Sequence, residues 1–177
     1  MIKFTPEQEE FRRAVARFVD AEVVPAADAI DESAEFPRTL FTRLGQLGYL
    51  GLRYPEAYGG ADADAVTYCL FAEELARGSL SLAAAAAMQS LMGTYFIYKY
   101  GGEALHQRYL APALRGEKVA TFALTEPNAG SDVAGITTRA EKRGDRWVLS
   151  GTKTWVTNAP VADVLTVAAK TSAGRGM

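Results

Sequence analysis

At Gly116 the periodicity of the chain changes, and that change limits the folds open to it. Before it, apolar side chains recur every three or four residues, the spacing that buries one face of a helix. Thr5, Pro6 and Gln8 form a T-x-x-Q capping box with proline at the first helical position. Phe11, Val15, Phe18, Val19 and Val23 then share a face until Pro25 bends or ends the helix. Further helices are predicted from Pro37 to Gly48, Val66 to Ala76, Ser81 to Tyr100 and Glu103 to Leu114. After Gly116 the grammar is that of strands: "VATFAL" (Val119 to Leu124), a pair around Gly144-Asp145 that runs on through "GTKTWVT", and "ADVLTVAAK".

The expected fold is therefore multidomain α and β, with an N-terminal all-α helical bundle over residues 1–116. An incomplete β-barrel or sandwich domain follows over 117–177. About four strands leave edges open, and the closing "TSAGRGM" reads as a loop, so the chain is expected to be a fragment.

Charge narrows the function. Residues 1–117 hold 11 basic and 16 acidic side chains, and residues 118–177 hold 8 and 5, for a net −2. Without a basic stripe, no nucleic-acid partner is expected. Cys69 is the only cysteine, which points to a reducing, cytoplasmic setting and, on its helix, to a small buried thiol. Leu80 to Tyr98 is long enough for a membrane, but Ser81, Gln89, Ser90 and Thr94 interrupt it. A buried bundle helix is expected instead, with the polar groups satisfied by neighbouring helices.

Most chemistries lack their residues. Glu103 and His106 form one E-x-x-H, but a bundle metal site needs a second, and His106 is the only histidine. His106 is read as a surface residue, Glu73-Glu74 as a solvated helix face, and no metal site is expected. Ser131 lacks a G-x-S-x-G elbow, and no phosphate-binding glycine motif occurs. Two segments stand apart: "LTEPNAGSD" (Leu124 to Asp132) and "KTWVTNAP" (Lys153 to Pro160). On a strand, Trp155 and Thr157 would share one face. That face either receives a flat ligand against an indole and a hydroxyl, or simply packs into the sheet.

Here the chain resembles the acyl-CoA dehydrogenase family. The resemblance rests on Phe122-Ala-Leu-Thr-Glu-Pro-Asn-Ala-Gly-Ser-Asp132 followed at the family's spacing by "GTKTWVTN". "YLGLRYPEAYGG", "EELAR" and "YGGEALHQRYLAPALRGE" extend it along the chain. It implies a flavoprotein that uses FAD to desaturate acyl-CoA thioesters, hydride leaving Cβ for flavin N5. Phe122, Ala123, Leu124 and Thr125 are implied to run along the flavin, with Thr125 at its polar edge. Trp155, Val156 and Thr157 are implied to pack on and beside it, with the Thr157 hydroxyl near N5. Gly130 and Ser131 would meet the acyl-CoA arm, Ser131 touching CoA or FAD, and Ser90 and Leu91 would lie near the acyl pocket. Phe122 stands where many relatives have Tyr.

The same resemblance implies electron-transfer flavoprotein as acceptor and a homotetramer or dimer at full length. It assigns the catalytic Glu to a C-terminal domain, so no catalytic residue is expected in this chain and the fragment alone should be inactive. Competing readings are a flavin oxidase or monooxygenase of the same superfamily and a non-catalytic helical assembly module.

Overall fold

The computed structural model describes residues 3–171. Among the described residues, eight α-helices precede five strands. The first helix, α1 (Pro6–Phe18), starts where predicted. The Thr5 hydroxyl accepts from the Gln8 amide at 3.2 Å and the Gln8 side chain accepts from the Thr5 amide at 3.1 Å. Pro25, which lacks an N–H, sits in a 3₁₀ turn at Val24–Ala26. The helical path does not stop there: after that turn it resumes as α2 (Ala27–Ser33).

Next, α3 (Arg38–Gln46) ends before Gly48, whose φ of 79° suits the left-handed region that glycine enters without strain. In α4 (Ala65–Gly78) the first turn is capped by Asp64, which accepts from the Thr67 amide at 2.7 Å. Ser79 ends α4 and also caps α5 (Leu80–Ala87), so the two helices meet at a sharp corner. The core gathers Val15, Val19 and Val23 with Phe41, Leu44, Phe71, Leu75 and Leu82.

The long helix predicted from Ser81 to Tyr100 is interrupted. A π-helical turn at Met88–Gly93 separates α5 from α6 (Tyr95–Tyr100). The turn lets polar groups reach partners. The Thr94 hydroxyl donates to the Gln89 carbonyl at 2.6 Å, and the Ser90 hydroxyl donates to the Leu50 carbonyl at 3.1 Å. Gly93 lies so close to the chain beyond the last helix that a Cβ would come within 2.5 Å of the Ala120 backbone. Leu80–Tyr100 is apolar and long enough to cross a membrane by composition, yet its buried amide and the Ser90 and Thr94 hydroxyls are hydrogen-bonded to other parts of the chain. The last helical run likewise divides into α7 (Glu103–Leu105), a π-helical turn and α8 (Ala111–Leu114), with Pro112 at the restart.

Three expectations about this unit need correction. Cys69 is exposed, because it lies on the side of α4 opposite Leu70, Phe71 and Leu75. Glu74 is buried; burial raises its pKa, but Arg12 and Arg77, each at 2.9 Å, outweigh this and hold it below the ordinary carboxylate range. His106 is buried under Tyr58, with Nε2 3.2 and 3.1 Å from the carbonyl oxygens of Ile97 and Tyr98.

The strands are shorter than the sequence suggested. β1 (Ala120–Ala123) pairs in parallel with β4 (Val164–Val167), Ala120 opposite Val164. β2 (Arg139–Arg143) pairs antiparallel with β3 (Arg146–Ser150) and parallel with β5 (Lys170–Thr171). Among the described residues these make two small sheets and no closed barrel. Ser172 to Met177, most of the stretch read as a closing loop, lies outside the described residues.

Gln89 joins the two kinds of structure. Its Nε2 donates to the carbonyls of Ala113 (2.8 Å) and Lys118 (2.9 Å), and its Oε1 accepts from the Ala120 amide (2.6 Å). Gln89→Leu would keep the volume and strand three backbone groups. At ~1–3 kcal/mol per buried orphan, we expect a loss of at least about 3 kcal/mol by urea denaturation. Gln107→Leu, on the exposed face of the next helical run, should stay within about 0.5 kcal/mol of the parent.

Candidate functional site

β1 ends against a tight turn. The Glu126 amide donates to the Ala129 carbonyl at 2.9 Å, and the Ala129 amide returns a bond to Glu126 at 3.1 Å. Beyond this turn Gly130 and Ser131 are exposed. Across from it runs the segment Lys153 to Asn158. The Thr154 amide donates to the Thr125 carbonyl at 2.9 Å, and the Thr121 hydroxyl donates to the Thr157 carbonyl. Thr125, Ser131, Trp155 and Thr157, far apart in sequence, thus belong to two adjoining pieces of backbone.

The strand expected through Trp155 is absent. Residues 151–156 are not part of a sheet, and Trp155 has φ 55°, in the left-handed region. Asn158 also has positive φ (67°). Two non-glycine residues in that region within four positions cost energy and kink the chain. The alternation argument that put Trp155 and Thr157 on one strand face therefore fails. The alternative of an indole packed into the sheet fails as well, since Trp155 is 88% exposed. Thr157 is also exposed, and Val156 is half-buried.

The segment is held at both ends. Asn158 Nδ2 donates to the Ala85 carbonyl of α5 at 3.1 Å. Lys153 Nζ donates to the Leu124 carbonyl at 2.8 Å and to Glu126 Oε1 at 2.9 Å. Glu126 accepts three more bonds: from the Thr137 amide (2.6 Å), the Thr137 hydroxyl (2.7 Å) and the Thr138 amide (2.9 Å). Burial raises the pKa of this carboxyl, but Lys153 and the Thr138 and Thr137 donors more than offset it and hold the group well below the usual carboxylate range. Glu126, Lys153 and Asn158 escaped the sequence reading. The only available signal was a carboxylate and a lysine inside the two motifs, each flanked by threonines.

Other candidates are dispersed. The Phe122 ring stacks on Phe96 at 4.7 Å and, with Leu124, lines an apolar cavity of about 840 Å3 that also meets Tyr100 and Val133. Ala123 is buried. Ser90 and Leu91 border a separate recess of about 490 Å3 with Arg53, Tyr54, Tyr95 and Tyr98. The Ser90 hydroxyl is already spent on Leu50, and Leu91, expected on a buried helix, is exposed. Tyr54 closes this recess from below, its hydroxyl 2.8 Å from the Ser90 carbonyl and 2.7 Å from Thr94 Oγ1. Burial pushes that phenol up to about 12. Thr157 borders a third recess of about 360 Å3 with Phe36, Ser81 and Ala85.

The state of Glu126 makes stability depend on pH. Its folded pKa is depressed, so its contribution is complete above the unfolded value of ~4.3 and is lost as pH falls from there toward the folded value. We expect Glu126→Gln to be less stable than the parent at pH 7, with the difference shrinking below about pH 4. Urea midpoints measured from pH 7 to pH 3 would show it; a difference that does not change with pH would contradict it.

Two family models match the chain: the acyl-CoA dehydrogenase N-terminal domain over residues 5–117, and the acyl-CoA dehydrogenase middle domain over residues 121–177. A benzylmalonyl-CoA dehydrogenase of Aromatoleum aromaticum is 48% identical over 94% of the chain, and a 3-(aryl)acrylate reductase of Clostridium sporogenes is 41% identical over 98%. The chain spans less than half of each, 44% and 46% of their lengths. A crystal structure of a glutaryl-CoA dehydrogenase from Mycobacterium smegmatis in complex with FADH2 superposes with a TM-score of 0.92 at 36% identity, over 97% of this chain and 44% of that one. The chain belongs to the acyl-CoA dehydrogenase family and carries that family's N-terminal and middle domains.

Proposed function

We propose that the chain is the helical part (1–116) and the first β part (117–177) of an FAD-dependent enzyme that dehydrogenates acyl-CoA thioesters between Cα and Cβ. The observation that carries this reading is Trp155: an indole held almost fully exposed by left-handed backbone, beside an exposed threonine and the Leu124–Ser131 turn. A large exposed aromatic on strained backbone suits a flat ligand that covers it. Among the described residues the Thr125 and Thr157 hydroxyls have no hydrogen-bond partner in the chain, so both are available to a polar ring edge. The residues fit the flavin ring.

FAD, when bound, supplies the two-electron acceptor. The chain's own part is to bind and orient. Trp155 and Val156 would provide an apolar wall for the ring, the Thr125 hydroxyl would serve its polar edge, and the Thr157 hydroxyl would donate toward N5 and so favour the reduced state. Phe122, Ala123 and Leu124 supply backbone along the ring, Phe122 contributing no phenol. Gly130 and Ser131 offer an exposed, hydrogen-bonding turn to the CoA arm, and Ser90 and Leu91 border a recess for part of the acyl-CoA. Glu126 is no base for the α proton. Its oxygens already accept four hydrogen bonds and its charge is paired with Lys153. We assign the base to the portion of the family's length that this chain does not span. On this reading the 177 residues alone turn over no acyl-CoA. Electron-transfer flavoprotein is the proposed acceptor, the whole protein is proposed to be a homotetramer or dimer, and the lone exposed Cys69 agrees with a cytoplasmic setting.

Two substitutions test the reading. Trp155→Ala removes an exposed side chain, so the urea stability of the FAD-free protein should change by no more than about 0.5 kcal/mol while FAD affinity falls. Unchanged FAD affinity would overturn the assignment. In the full-length protein, Thr157→Val should lower the flavin reduction potential and slow stopped-flow reduction. The scale is up to ~2.7–4 kcal/mol, the worth of a preorganised donor at the strongest sites. Acyl-CoA affinity should change little.

A further inference from the structure

We infer that the buried Glu126–Lys153 pair is a positioning element for the flavin: it sets the register between the turn that carries Thr125 and the segment that carries Trp155 and Thr157. The inference rests on the flavin reading above but adds residues that touch none of the proposed ligand atoms. Lys153 Nζ reaches the Leu124 carbonyl and Glu126 Oε1 together, so one ammonium pins the residues on both sides of Thr125. Lys153 also lies one residue before Thr154, whose amide donates to the Thr125 carbonyl, and two before Trp155. One cation thus fixes both pieces of backbone at the point where they adjoin.

Glu126 makes that anchor rigid. Its carboxylate is tied to the amides of Thr137 and Thr138, on the segment leading into β2, by bonds of 2.6 and 2.9 Å. The side chains of the pair are only 3% and 11% exposed, so water competes poorly for either charge. Removing one partner leaves the other buried and uncompensated, which forces the surroundings to rearrange. The rearrangement falls on Leu124, Thr125 and Thr154. Trp155 and Thr157 follow, because Lys153 and the Thr154 amide anchor the start of their segment to the Leu124–Glu126 turn, while the Thr121 hydroxyl and Asn158 anchor only its far end.

The test uses the full-length protein and FAD itself. The dissociation constant for FAD and the visible flavin spectrum are measured for the parent, Lys153→Met, Glu126→Gln and the double variant, well below each unfolding temperature. Each single variant should weaken FAD binding by about tenfold or more, the scale carried by outer partners that orient a site. The double variant should be no weaker than the worse single one, because the two side chains act as a unit. A shifted spectrum should accompany the loss, which lowered stability alone would not produce. Should Lys153→Met fail to fold, Glu126→Gln, which keeps the shape and loses the charge, decides the matter alone. Parental affinity and spectrum in a folded variant, or fully additive losses, overturn the inference. A parent protein that binds no FAD overturns the functional reading itself, whereas a parent that binds FAD beside variants that bind equally well overturns this inference alone.

Discussion

The Gln89 side chain is the joint on which the rest of the molecule hangs. One amide satisfies a carbonyl at the end of the last helix, a carbonyl in the linker and the first amide of β1. It is fully buried, so each of these bonds forms where water cannot substitute. The π-helical turn at Met88–Gly93 brings the side chain to that position, and Gly93 leaves room for β1 to lie directly on the helix. With β1 placed, β4 follows by parallel pairing. Asp163 strengthens that pairing by accepting from the Val119 amide at 2.8 Å.

A second polar centre does for the proposed ligand face what Gln89 does for the fold. Glu126 and Lys153 hold the turn after β1 against the segment after β3, and Asn158 ties the far end of that segment to α5. Between these anchors Trp155 and Asn158 adopt backbone angles that cost energy. The anchors over-determine the path, so the strain persists and the indole stays outside.

Much of the helical unit was legible because its signals are local. The capping box, the proline at the first helical position and the glycine after α3 act within a few residues, and each appears where the sequence placed it. Burial of individual charged or polar residues was less legible. Glu74 and His106 each looked exposed from their neighbours. Glu74 is buried because Arg12, 62 positions away, reaches it, and His106 because the Ile97 and Tyr98 carbonyls and the Tyr58 ring come to it. Cys69 looked buried by type, yet it faces solvent because the apolar stripe of α4 runs along the other side.

For the candidate site, the two motifs and their spacing determined the family resemblance and the choice of Thr125, Ser131, Trp155 and Thr157, since a motif is a property of order along the chain. Tertiary structure alone decided that Trp155 leaves the strand, that Ser90 and Leu91 border a recess apart from Phe122 and Leu124, and that Glu126 and Lys153 form the support beneath. The reason is the range of the forces. Caps, turns and periodicity are set by neighbours in sequence, whereas burial of a charge, the partner of a carbonyl and a tolerated strain depend on groups that meet only once the chain has folded.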